Sequence, residues 1–166
     1  MTKLAIAVLV AALTGAATGT LRAAVPADAQ AQVQQVVEHF RAAIIAHDQA
    51  ALEALFVPEG GAWFEVLGED AFRRMKATKP DLSRLHADNY RHFAAFVGGS
   101  RQAIEERFDN VRIHTDGAVA SVYFDFVFLV DGKPNNTGSE TWQLVHTNDG
   151  WRISAMAYSD NPAGAH

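Results

Sequence analysis

Few side chains in this sequence combine the right type with the right setting for chemistry, and Asp125 leads them. It lies within "VYFDFVF", residues 122–128, among aromatic and branched neighbours. A carboxyl group in such surroundings should have a raised pKa, which suits a general base or a neutral acid. Tyr123 is two residues away on the same face of any strand and could donate its hydroxyl to a developing oxyanion. The stretch "HADNYRHF" adds His86, Asp88, Tyr90 and His92, where a histidine beside a carboxylate could serve as a base. The plainer alternative makes Asp125 a solubilising residue on an open or dimer-forming sheet face, and His92 a surface residue of a helix. No cysteine and no His-x-x-x-His pair occur, so neither a zinc site nor any other metal is expected, and no cofactor motif is present.

These residues need elements to position them. Val33, Val36, Val37, Phe40 and Ile44 recur three or four apart and predict one amphipathic helix. Asp48 can cap a second, shorter helix carrying Leu52, Leu55 and Phe56. After the break at Pro58-Glu59-Gly60-Gly61, "AWFEVLG" reads as a short strand and "EDAFRRMKA" as a short helix. A helix from about Asp88 to Val97 is stopped by Gly98-Gly99. The period then changes to four β-rich runs separated at Asp116-Gly117, Asp131-Gly132 and Asp149-Gly150. Helices first and a meander last make an α+β domain.

Alternation places Ala120, Val122, Phe124, Phe126 and Phe128 on one face and Ser121, Tyr123, Asp125, Val127 and Leu129 on the other. A hairpin symmetric about Pro134 sets Phe126 opposite Trp142, Phe124 opposite Leu144 and Asp125 opposite Gln143. A two-residue Asp149-Gly150 turn then puts Trp151 and Ile153 on the phenylalanine face. The same turn puts Met156 and Tyr158 on the Asp125 face; a turn longer by one residue would exchange the two sets. If the Asp125 face lines a pocket, its ligand-binding residues are Gln143, Met156 and Tyr158. Trp63 and Tyr90 could stand at the mouth, although aromatic residues in a small domain also serve as plain core.

The N-terminus reads differently. Lys3 precedes an apolar run from Leu4 to about Ala17, the pattern of a signal peptide over residues 1–25 with cleavage between 20 and 30. The run is short for a membrane span, so no stable anchor is expected after cleavage. The mature protein would be periplasmic or secreted, a single domain over residues 30–160 with a short tail at 161–166. Removing Lys3 and Arg22 would take the formal charge from −5 to −7. The remaining basic residues are scattered, which argues against nucleic-acid binding.

The ending "GSETWQLVHTNDGWRI" carries Gly138, Glu140, Trp142, Leu144, Gly150, Trp151, Arg152 and Ile153 in a familiar spacing. Together with the leading helices, it resembles the NTF2-like superfamily, which includes ketosteroid isomerase, scytalone dehydratase and SnoaL-like cyclases. The resemblance implies a cystatin-like, cone-shaped α+β fold, with N-terminal helices packed against a curved, mostly antiparallel sheet around a pocket. It also implies frequent pairing into homodimers, and histidines in dehydratase pockets. The isomerase subgroup uses a tyrosine for which the first helix, "VQQVVEHFRAAII", has no counterpart. Three functions are therefore expected to compete. The first is an exported domain binding a small apolar or amphipathic molecule. The second is a cofactor-independent lyase or isomerase using Asp125 and His92, and the third a structural homodimerisation domain.

Overall fold

The computed structural model describes residues 27–164, so the predicted signal segment and the start of its cleavage window lie outside the described residues. The order is α1 (Ala27–Ala46), α2 (Gln49–Glu53), β1 (Ala62–Leu67), α3 (Glu69–Thr78), β2 (Leu85–Ala87), α4 (Tyr90–Gly99), β3 (Ile104–Thr115), β4 (Val119–Val130), β5 (Lys133–Thr147) and β6 (Gly150–Pro162). The valine stripe of α1 is its buried side: Val33, Val37, Phe40 and Ile44 are all 1 % exposed or less. Asp48 caps α2 by accepting from the Ala51 amide at 2.9 Å. That helix ends at Glu53, so Leu55 and Phe56 follow it instead of lying within it. Asn89 caps α4 through the Arg91 and His92 amides, which sets the helix start one to two residues later than the sequence suggests. Among the described residues, no helix is long and apolar enough to cross a membrane.

The strands form one six-stranded sheet in the order β2-β1-β6-β5-β4-β3. The expected α+β arrangement of helices against a sheet is present, but the expected curved cone is corrected. The sheet is open and mixed and is not strongly curled. Its edge strands β2 and β3 do not meet, and β1 joins β6 in parallel. On that side β1 has six residues and β2 only three, too little strand to carry the sheet round the helices.

The strand register departs most from what the sequence predicts. The β4–β5 hairpin turns at Asp131-Gly132, both with positive φ (50° and 74°), the conformation of a two-residue type I′ turn. A bulge between Phe128 and Leu129, with Asn135 unpaired on β5, then shifts the register, so the partners are Phe126–Gly138, Phe124–Glu140, Asp125–Ser139 and Val122–Trp142. This slide along the strand leaves each residue on its expected face. The β5–β6 pairing does not. A bulge between Gln143 and Leu144 sets Leu144 opposite Ile153 but Trp142 opposite Met156, inserting one extra residue on β6. Trp151 and Ile153 are buried as expected. Met156 is also on the inner face (3 % exposed), and Tyr158 follows it, contrary to the expected side.

Inside, Trp142, Phe124, Val122 and Leu144 of the sheet pack beneath Phe40 and its neighbours on α1. Trp142 and Phe40 have ring centroids 4.8 Å apart, and Trp142 and Phe124 5.1 Å, edge to face.

Candidate functional site

A cavity of about 180 Å³ opens between the inner face of the sheet and the helices. Its helical side is Phe40 of α1 with Phe93 and Phe96 of α4. Phe96 is half exposed and stands at the rim, its ring 6.2 Å from Phe93 and 6.2 Å from Phe128. The sheet supplies Trp63 from β1, Phe126 and Phe128 from β4, and Met156 and Tyr158 from β6. Trp63 reaches this wall because β1 runs beside β6, with Trp63 opposite Met156 and Glu65 opposite Tyr158.

Two carboxyl groups interrupt this apolar lining. Glu106 and Glu140 are the buried charged residues among those described, at 5 % and 4 % exposure, and both line the cavity. Alternation puts them there: Glu106 shares its face with Ile104 and Phe108, and Glu140 shares its face with Trp142 and Leu144. The Trp142 indole N–H donates to Glu140 Oε1 at 2.5 Å. Among the described residues no hydrogen bond reaches the Glu106 carboxyl, and no lysine or arginine lines the cavity. Burial pushes Glu140 up to about 8 against the help of the indole N–H. Burial, and then the nearby Glu140 charge, raise Glu106 well above the usual carboxyl range.

Around the pair, the Tyr158 hydroxyl donates to Glu65 Oε2 at 3.2 Å, and burial together with that carboxylate raises the phenol. Asn136 donates through Nδ2 to Asp160 at 2.6 Å, which leaves its Oδ1 buried without a partner. Gly138 lies between these groups on β5. A Cβ there would meet Phe126 at 2.8 Å and collide with the Ser159 carbonyl oxygen, so only glycine lets β5 pass this close to Phe126 and β6.

The residues singled out from sequence divide accordingly. Trp63, Met156 and Tyr158 line the cavity, Met156 and Tyr158 because of the β6 bulge. Tyr90 is buried beside it, stacked on Phe56 at 4.6 Å. Gln143 and Tyr123 are on the outer face of the sheet, where they border a shallow depression with Arg112 and His114. Asp125 is on that outer face too. It accepts from Asn110 at 2.8 Å, from Ser139 at 2.9 Å and from the Tyr123 hydroxyl at 3.5 Å. Those hydrogen bonds hold its pKa below the ordinary value, which corrects the expected rise: its aromatic sequence neighbours, Phe124 and Phe126, point to the opposite face. His92 is exposed on α4, with Nδ1 2.7 Å from Asp88 Oδ1. Among the described residues, no group of three or more histidines or acids is arranged to hold a metal ion.

No protein-family model matches the chain, and comparison with curated proteins finds no match. Solved structures do match. An NTF2-like protein of unknown function from Pseudomonas putida aligns with a TM-score of 0.61 at 10% identity, over 82% of this chain and 89% of its own. An NTF2-like protein with a cystatin-like fold from Novosphingobium aromaticivorans aligns at 0.58 and 14% identity, over 83% and 85%. A protein of unknown function with a cystatin-like fold from Nostoc punctiforme aligns at 0.59 and 11% identity, over 84% and 96%. The chain therefore has the fold of NTF2-like proteins.

Proposed function

We propose that this chain is an exported member of the NTF2-like superfamily that binds a compact, largely apolar molecule in the aromatic cavity. The observation that carries this reading is the cavity itself: aromatic on nearly every side, open at Phe96, and supplied with polar groups at one place only. That is the usual composition of a small-molecule site, in which apolar walls give affinity and a few polar groups give orientation. Its volume, about 180 Å³, is close to that of an engineered cavity of roughly 150 Å³ that takes one benzene. A single ring fits the space and a four-ring steroid does not, which agrees with the missing tyrosine in α1.

A second reading, acid–base catalysis without a cofactor, finds its groups in Glu140 and Glu106. It is supported by the position of Glu140, poised to titrate near neutrality against the cavity. Trp63 offers a direct test of binding, since the other two tryptophans do not line the cavity. A library of single-ring compounds should contain members that quench tryptophan fluorescence saturably, with the quench lost in Trp63→Phe. Absence of any saturable quench across neutral, cationic and anionic rings would count decisively against a binding function.

A further inference from the structure

The polar groups of the cavity are unbalanced. Glu106 and Glu140 contribute two carboxyls, and Asn136 leaves only its carbonyl oxygen without a partner. Three donors near them are engaged, the Trp142 indole N–H on Glu140, the Tyr158 hydroxyl on Glu65 and the Asn136 amide on Asp160, and the remaining polar lining residue, Asn135, is exposed to solvent. The titratable groups next to the pair have the same bias. Tyr158 feels the Glu140 charge, and behind the lining stand its partner Glu65 and the Asn136 partner Asp160, with His86 of β2 3.8 Å from Glu65. From α1, α4 and β4 the cavity receives only phenylalanine rings. Ionising a buried carboxyl with no counter-charge is costly, and this site holds two such groups.

Resting on the proposed binding function, we infer that the cavity selects an organic ammonium ion, a compact primary amine on a single ring or its equivalent. A protonated amine brings several N–H donors and the positive charge that lets these acids ionise. Aromatic faces attract the same cation through their quadrupoles when it lies within about 6 Å of a ring centre. Phe126, Phe128, Trp63 and Tyr158 line the same cavity as the two carboxyls. A neutral ring would fill the apolar part without drawing a proton from the acids, and an anionic ring would oppose their ionisation.

Proton linkage gives the inference its signature. Without a bound cation, burial disfavours the charged forms of both carboxyls, raising Glu106 and pushing Glu140 up to about 8. An ammonium ion reverses that preference, so its binding should expel a proton. Affinity should then rise about tenfold per pH unit between about pH 6 and pH 8, where the amine itself stays protonated.

The test uses benzylamine, benzyl alcohol and benzoate, which share one ring and differ in charge. Calorimetry of the wild-type chain in phosphate and in Tris buffer counts the protons released. Benzylamine should bind at least tenfold more tightly than benzyl alcohol at pH 8 and release up to one proton at pH 7, and benzoate should bind most weakly. In Glu140→Gln, whose amide oxygen can still accept from Trp142, benzylamine should lose at least tenfold while benzyl alcohol stays within about threefold. Glu106→Gln provides an independent second variant with the same expectation. Benzyl alcohol or benzoate binding as tightly as benzylamine, or benzylamine affinity that does not change with pH, would overturn the ammonium assignment and leave the binding function standing. Failure of all three probes would remove both.

Discussion

Glu140 costs the fold stability, and the cost depends on pH in a defined direction. Its carboxyl is pushed up to about 8 in the folded chain, against 4.5 when unperturbed. Between those values the folded state holds a proton that the unfolded state has released, so stability is greatest below about pH 4.5 and falls as pH rises toward 8. One pKa unit corresponds to about 1.4 kcal/mol, so Glu140 alone should remove about 4 kcal/mol over that window. The urea midpoint of the wild type is expected to drop between pH 5 and pH 8. Glu140→Gln should flatten that slope and leave the protein more stable than wild type at pH 8. A midpoint that rises over the same window would mean that Glu140 is not buried as described. Asp125 behaves in the opposite way: its hydrogen bonds lower its pKa, and Asp125→Asn should leave ligand binding in the cavity unchanged within about twofold. The sequence did contain the signal for Glu140, an acid in step with Trp142 and Leu144 on the apolar face. Hydrophobic neighbours along the chain drew attention to Asp125, but in a strand the adjacent residues face away.

At the level of elements, what was legible followed periodicity, and what was not followed single-residue insertions. The α1 stripe, the Asp48 cap and the alternation of β4 could be read directly, because each repeats or has a local partner. The bulge opposite Gln143–Leu144 has no such mark, yet it decides that Met156 and Tyr158 face the cavity. Deleting Ser154, the residue on β6 that the bulge leaves unpaired, would return Met156 and Tyr158 to the outer face. Loss of cooperative unfolding in that deletion, followed by near-UV circular dichroism, is the expected result. Trp151→Ala tests the segment before the bulge. Trp151 is 4 % exposed and donates its indole N–H to Gln32 at 3.1 Å, so truncation should cost about 3–5 kcal/mol in a urea titration. An unchanged midpoint would place Trp151 outside the core. Gly138→Ala should also destabilise, by about 1–3 kcal/mol, because the new methyl meets Phe126 and the backbone of β6.

For the whole molecule, the cavity and Asp125 lie on opposite sides of the sheet, so a dimer formed through the Asp125 face would not compete with the cavity. The cavity opens on the helix side, and the outer face is left with Tyr123, Arg112, Thr141 and Gln143, Tyr123 being 37 % exposed. If copies pair through that face, Tyr123→Glu should shift sedimentation toward monomer at tens of micromolar without altering ligand quench of Trp63. A wild type that sediments as a monomer at that concentration would retire the dimer. The proposed export carries a further expectation, because the cleavage window of residues 20–30 overlaps the start of α1. A cut after Ala29 would remove Asp28, whose carboxylate accepts from Gln32 at 2.8 Å, and Ala29, which is 6 % exposed and part of the core. A cut after Ala23 would spare the whole helix and still follow a small residue close behind the apolar run. The mature N-terminus in a periplasmic or secreted fraction should therefore lie before Ala27 when measured by intact-mass spectrometry. A mature chain beginning at Gln30 would show that α1 tolerates the loss of its first turn, and an intact Met1 in soluble protein would rule out export by cleavage.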